Sequence, residues 1–387
     1  MRILHTADWH LGTRVPHIGL DRSEEQDKVV KKIIEIVEKE NIDVVIIAGD
    51  IFDNPTPSYQ AEKIFYNFIA SICGDLGKYL FVISGNHDSM EKVDTVSVFS
   101  RFFSVRGSQR FKHFYLGIQI ENGLSNLVCD VDGISFIGIP FVPRYRYSKR
   151  YQEIFENILG QLLERTGSEV ILFSHDTLEG VKYSETEIKY DDKVLKLFSI
   201  QKLAYFNKVR YWALGHIHKY QEIVKDKICY SGGIVQIDFG EAGQEKGVVI
   251  VSLESEGVKT KFLKIDQVRE FRKFDACDRN CVEELLEKYK EGTQDFVKIV
   301  LKNEVGTSLV EELKNRITNL VLVKETHTIH SHTNVKQYED MIGDPIETFK
   351  AYCKDNKKDL KEDEIEELRK IYDEIKSRGF YSTNPSI

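Results

Sequence analysis

Apolar residues in this chain gather into short runs, and the runs end in turns rich in Asp, His, Asn and Gly. Ile3-Leu4 leads into Asp8-Trp9-His10, Val44 to Ile47 into Gly49-Asp50-Ile51-Phe52-Asp53, and Tyr79 to Ile83 into Gly85-Asn86-His87-Asp88. Each run reads as a short buried strand. Between the first two, Ser23-x-x-Gln26 predicts a capping box opening a helix to about Glu40, with Val29, Val30, Ile33, Ile34 and Val37 inward. Beyond Pro55 and Pro57 a second helix carries Ile64, Phe65, Phe68, Ile69 and Ile72. Strands alternating with helices predict an α/β fold.

The pattern continues. Val93 to Phe103 has helical spacing and places Val98, Phe99, Phe102 and Phe103 together, either as core or, with the aromatic helix before it, as a dimer surface formed by helices 58–73 and 93–103. Phe114 to Pro140 breaks into short strands at Gly117, Gly123 and Gly133, where antiparallel pieces are expected. A helix from about Lys149 to Arg165 precedes Val170 to Ser174, which ends at His175, and Val209 to Leu214 ends in Gly215-His216-Ile217-His218. Glu222 to Ile265 is β-rich and closes a first domain, 1–266. After a polar linker, Phe296 to Lys302, Ser308 to Ile317 and Leu320 to Lys324 spell β-α-β, the core of a small second domain, 267–335. In 336–387, Asp344-Pro345 opens a short helix with Ile346, Phe349 and Cys353, and a charged last helix spaces Ile365, Leu368, Tyr372 and Ile375. That tail reads either as helices packed on their own domain or as a docking element for another protein.

With 387 residues and 41% hydrophobic content, the chain can bury a sizeable core. A net charge of −8 announces no global basic field, so any nucleic-acid contact must use local basic patches. The six cysteines lack paired zinc spacing and are expected as reduced thiols, with Cys277 and Cys281 as neighbours on a helix. No apolar run approaches the roughly 18 residues of a membrane span, and the strand at Arg2 leaves no room for a signal peptide; a soluble, cytoplasmic protein is expected.

Asp8, His10, Asp50, Asn86, His175, His216 and His218 all follow predicted strands, so one sheet rim would gather them. Asp8, His10 and His218 can hold one metal ion, Asn86, His175 and His216 another, and Asp50 can bridge. Imidazole, carboxylate and amide ligands without thiolate favour manganese, iron or zinc. Two ions roughly 3.5–4 Å apart would clamp a phosphodiester and lower the pKa of bound water toward about 7. His87, beside Asn86 on the turn, is assigned to transition-state charge and protonation of the leaving oxygen, its ring fixed by Asp88 or Asp53. Arg144-Tyr-Arg-Tyr-Ser-Lys-Arg-Tyr151 interleaves cations with aromatics. Arg144, Arg146, Lys149 and Arg150 are thus candidate DNA contacts or an ordinary solvated loop; Arg14 and His17 are weaker candidates of the same kind. His327, His330 and His332 cluster on what reads as an exposed strand.

The ordered set Asp8-x-His10, Gly49-Asp50-x-x-Asp53, Gly85-Asn86-His87-Asp88, His175 and Gly215-His216-x-His218 resembles the calcineurin-type metallophosphoesterases. Within them, His5-Thr-Ala-Asp-Trp-His-Leu-Gly12, Gly49-Asp-Ile-Phe-Asp53 and Phe239-Gly-Glu-Ala-Gly-Gln-Glu-Lys-Gly247 resemble the SbcD nuclease subunits. Asp53 in place of a histidine points to the bacterial branch, while Gly232-Gly-Ile-Val departs from an expected Gly-Ser-Pro, and 182–198 fits poorly. The resemblance implies a four-layer β-sandwich flanked by helices, a small α/β capping domain and a C-terminal helical docking element. It implies a manganese-dependent DNA nuclease, exonucleolytic on duplex ends and endonucleolytic on single strands or hairpins, nucleoid-associated and acting in double-strand-break repair. It implies as partner an SbcC-type coiled-coil ABC ATPase, bound by the C-terminal helices. The alternatives are a phosphatase or small-nucleotide phosphodiesterase on the same two-metal core, and, ranked last, a scaffold without hydrolysis.

Overall fold

The computed structural model describes residues 1–93, 113–115, 127–141, 150–185, 194–302, 305–324, 365–366 and 369. The elements run β1 (Arg2–Thr6), α1 (Ser23–Lys39), β2 (Val44–Ala48), α2 (Tyr59–Ile69), β3 (Tyr79–Ile83), β4 (His113–Tyr115), β5 (Val128–Val131) and β6 (Ile134–Ile139). Then come α3 (Tyr151–Glu164), β7 (Val170–His175), α4 (Leu197–Gln201), β8 (Val209–Gly215), β9 (Gln221–Val224), β10 (Ile228–Tyr230), β11 (Gly247–Glu254) and β12 (Gly257–Lys264). The last stretch is β13 (Phe271–Cys277), α5 (Arg279–Lys288), β14 (Thr293–Leu301), α6 (Thr307–Arg316) and β15 (Ile317–Lys324).

Two six-stranded sheets, ordered β12-β11-β1-β2-β3-β4 and β5-β6-β7-β8-β10-β9, face one another. Their shared core joins Ile3, Val44, Ile46, Phe81 and Ile83 to Phe136, Ile171, Phe173, Tyr211 and Ala213. On its other face the first sheet is covered by α1 and α2 through Val29, Ile33, Phe65 and Phe68, and the second by α3 through Phe155, Leu159 and Leu162. Helix, sheet, sheet and helix make four layers, as expected. Because β2 is buried on both faces, every one of its residues is apolar and inaccessible. The parallel registers Thr6 with Ile47, Ala48 with Ile83 and His175 with Gly215 bring the carboxyl ends of the central strands level. A rim made this way is where the active turns begin.

Three expectations need correction. Ser23 is the first helical residue and makes no side-chain cap; its amide instead donates to Asp21 Oδ1 at 2.8 Å, and Gln26 is employed elsewhere. The stretch read as a linker contains β13 and α5. Its sheet, ordered β13-β14-β15, is parallel throughout and packs on Val282, Leu285 and Leu313. Cys277, closing β13, and Cys281, in the first turn of α5, form a disulfide, because Asp278 caps the helix directly after the strand and turns the chain back. Cys73, Cys129 and Cys229 are thiols. The chain divides into two compact units, 1–325 and 326–387; within the second, Ile365, Glu366 and Arg369 are helical. Helix 93–103 beyond Val93, Cys353, the histidines at 327, 330 and 332 and the Asp344-Pro345 helix lie outside the described residues. Among the described residues no helix is long and apolar enough to cross a membrane.

Candidate metal centre

The rim loops are held in backbone conformations that the residues themselves disfavour. Asp8, His10, Asp50 and His216 have φ of 52°, 44°, 49° and 93°, in the left-handed region. Such strain persists only where surrounding structure over-determines it, and it concentrates at functional sites. Here the bracing is visible: the amides of Asp8, Trp9 and His10 donate to the carbonyls of Gly49 and Asp50, and the amide of His216 donates to Asp8 Oδ1 at 2.9 Å. Gln26 reaches from α1 to complete it, accepting from the amide of Gly12 at 2.9 Å and donating to the carbonyls of Trp9 and His10. At Gly85 a Cβ would collide with the Asp50 carboxylate and amide, so only glycine lets the third turn approach the second.

Asp8, His10 and His218 bring ligand atoms within 4.8 Å of one another. His218 Nδ1 donates to Glu241 Oε1 at 2.6 Å, and His10 Nδ1 lies 3.5 Å from Asp53 Oδ1. With both Nδ1 atoms turned to carboxylates, the two Nε2 atoms are left as lone-pair donors, yet they face each other at 3.1 Å. Two lone pairs and a carboxylate aimed at one point repel unless a cation lies among them.

A second group repeats the arrangement. His175 Nδ1 donates to the carbonyl of Ala48 at 2.8 Å, so its Nε2 points a lone pair at Asn86 Oδ1, 3.0 Å away, and at Asp50 Oδ2, 3.3 Å away. His216 Nδ1 is 2.8 Å from the same Asn86 oxygen. Asp50 also lies 3.6 Å from His10 Nε2, and so stands between the groups. Burial opposes charging His175 and His218, but Asp50 and Glu241 respectively outweigh it and lift both to about 9, so that without an ion a proton occupies each Nε2 lone pair in the place a metal cation would take. The site is short of positive charge. Its oxygen and imidazole donors, buried at Asp8, His10, Asp50 and His175, half-buried at His216 and His218 and exposed at Asn86, therefore fit two divalent ions, one on Asp8, His10 and His218, one on Asn86, His175 and His216, with Asp50 available to both.

His87 is exposed at the lip, its ring centroid 4.8 Å from that of His10. Its ring is fixed by neither carboxylate proposed for it: Nδ1 donates to the backbone carbonyl of Asp53 at 2.9 Å. The Asp53 side chain serves His10 instead. Asp88 organises the backbone, accepting from the amides of Gly85, Ile51 and Phe52 at 2.8, 3.2 and 2.9 Å; burial and the Asp50 charge push its pKa up to about 6 against those bonds. Of the basic candidates, Arg14 and His17 are exposed just beyond the first turn, and Arg150 is exposed beside Glu153 at 2.9 Å. Arg144, Arg146 and Lys149 lie outside the described residues. Gln26, read only as a capping residue, and Glu241 and Lys246, quoted only within the Phe239 to Gly247 motif, were given no role at the rim. Gln26 was hidden by its helical setting, whereas Glu241, Glu245 and Lys246 in one glycine-rich loop were a signal that pointed to chemistry.

Solved structures resemble the chain at low identity. The anchor in the inner membrane complex of Plasmodium is 14% identical over 68% of this chain and 84% of its own, with a TM-score of 0.41. A Thermus thermophilus protein is 10% identical over 67% and 98%, TM-score 0.40, and a dimetal phosphatase from Danio rerio 12% identical over 69% and 99%, TM-score 0.43. The family model for calcineurin-like phosphoesterases matches residues 1–220, a span that takes in every candidate ligand of the rim. The chain belongs to the calcineurin-like phosphoesterase family.

Proposed function

We propose that this phosphoesterase is a DNA nuclease that cleaves phosphodiesters with two manganese ions, acting with an SbcC-type ATPase in double-strand-break repair. What carries the hydrolytic part is the meeting of seven ligand residues from both sheets at one rim, with an exposed His87 beside them. The nucleic-acid part is supported by the nuclease-like motifs and by the β13-β14-β15 sheet beside the rim, which a small-substrate phosphatase does not require. When bound, the ions would supply Lewis-acid stabilisation of the phosphoryl group and a nucleophile from water at neutral pH.

The chain's own residues set the rest. Asp53 fixes the His87 ring through its carbonyl, and with Nδ1–H so engaged the ring would deliver a proton to the leaving oxygen as the imidazolium, from an Nε2–H facing the phosphoryl group. The His87 amide, donating to Asp50 Oδ1 at 2.8 Å, ties that turn to the shared carboxylate, so ring and ligands move together. Arg14 and His17 are offered as phosphate contacts along the entry to the rim. Incubation of the purified chain with manganese and linear duplex DNA, with and without the ATPase, tests the reading: weak cleavage alone and stimulation by the partner are expected. Turnover of a phosphomonoester with DNA left intact in both conditions would favour the phosphatase instead.

A further inference from the structure

Two buried charged residues beside the rim belong to neither ligand group. Glu241 closes the single turn Phe239–Glu241, where Asp238 accepts from the Gly240 amide at 2.7 Å, and it is 1% exposed. One carboxylate oxygen takes His218 Nδ1 at 2.6 Å; the other takes Lys246 Nζ at 2.8 Å and the Ile237 amide at 3.1 Å. Lys246, also 1% exposed, spends its other protons on the carbonyl of His218 at 2.7 Å and on Gln244 Oε1 at 3.2 Å. Lys246 therefore grips the backbone of His218 and the carboxylate that holds its ring. A buried ion pair is a poor device for stability alone, since apolar residues of like volume serve as well or better. Its geometry has a different use.

We infer that Glu241, anchored by Lys246, is the positioning residue of the Asp8-His10-His218 subsite, keeping His218 protonated at Nδ1 so that Nε2 is presented as a metal ligand. The inference rests on the two-metal reading of the rim. A carboxylate behind a ligating histidine fixes its tautomer and raises its basicity, and losing such a partner weakens metal binding by roughly 10–100-fold. His175, in the other subsite, leans on the neutral carbonyl of Ala48. The effect of Glu241 should therefore fall on one ion and spare the other.

Calorimetric titration of manganese into the full, EDTA-stripped chain tests this, with manganese EPR as an independent count of bound ions. The wild type is expected to take up two ions, and Glu241→Gln to weaken one step by roughly 10–100-fold while moving the other less than twofold. Since that variant leaves the Lys246 ammonium buried without its anion, Glu241→Gln/Lys246→Met removes both charges; it should fold, by circular dichroism, and show the same selective loss. Nitrogen-15 histidine spectra of the stripped proteins add a readout that mere packing would not move: the Nδ1-protonated signal of His218, identified by its absence in His218→Asn, should weaken in both variants. Folded variants binding both ions with wild-type constants would overturn the role of Glu241 alone. A wild type that takes up no manganese would overturn the two-metal reading, and this inference with it.

Discussion

At the scale of single residues, His87 and His5 make opposite use of an imidazole. His87 sits at the lip with Nδ1 committed and Nε2 outward, so His87→Gln should keep both ions in the manganese titration while turnover falls by roughly 10²–10⁴. Loss of an ion in that variant would assign His87 to the ligand set. His5 is wholly buried between the sheets, 2.9 Å from Tyr211 Oη and 3.2 Å from the Leu214 carbonyl. Burial lowers its pKa from 6.5 to about 3, against the bond to Leu214. The folded protein keeps it neutral, whereas the unfolded chain binds a proton below about pH 6.5; its contribution is thus complete above that pH and lost as pH falls toward 3. Urea unfolding in EDTA should show the wild type losing roughly 2 kcal/mol more than His5→Gln between pH 7.5 and 5. Parallel curves would mean that His5 is not the group responsible.

Elements translate sequence into the site with uneven clarity. The central strands were legible because sheets buried on both faces demand uninterrupted apolar runs, and Asp8, Asp50, Asn86, His175 and His216 follow where those runs stop. β13 was not legible. As an edge strand it carries Arg272, Lys273 and Asp275 in ion pairs, which gives it the composition of a linker. Helix α5 hid for a similar reason, burying little beyond Val282, Leu285 and Leu286. Ser23 and Gln26 looked like a cap because spacing records separation along the chain, while the partners of Gln26 are Trp9, His10 and Gly12 on another segment. Glycines offer a test of which turns matter. Gly85→Ala would drive a methyl into the Asp50 carboxylate, so manganese content by mass spectrometry should drop by at least one ion per chain. Gly160→Ala, within α3 and with open space for a Cβ, should leave manganese content unchanged and raise stability by about 0.5–1 kcal/mol. A Gly85 variant with full metal content would show that the second and third turns tolerate separation.

In the 1–325 unit as a whole, the three-stranded sheet is footed on the loop that braces the rim. Phe271 at the start of β13 meets Phe239 edge-on, centroids 4.9 Å apart, and its amide donates to Gln236 Oε1 at 2.8 Å. Gln236 Nε2 in turn donates to the Gln244 carbonyl, so Phe271 holds both ends of the loop carrying Glu241. Buried Arg22 adds to this footing, its guanidinium 5.3 and 5.2 Å from the Phe271 and Phe296 rings while it binds Glu25 and the Gln236 carbonyl. Leu313, by contrast, is buried in the small sheet's own core, among Val282, Leu285 and Ile317. Truncating either to alanine removes a fully buried side chain and should destabilise by about 3–5 kcal/mol for Phe271→Ala and about 2–5 kcal/mol for Leu313→Ala. Metal binding should separate them. If the footing at Phe239 holds Glu241 in place, Phe271→Ala weakens the manganese step served by His218 severalfold, and Leu313→Ala leaves both steps within twofold of wild type at a temperature where both variants are folded. Equal losses in the two variants would locate the coupling in the folding of the small sheet as a unit; no loss in either would mean that the rim stands without it.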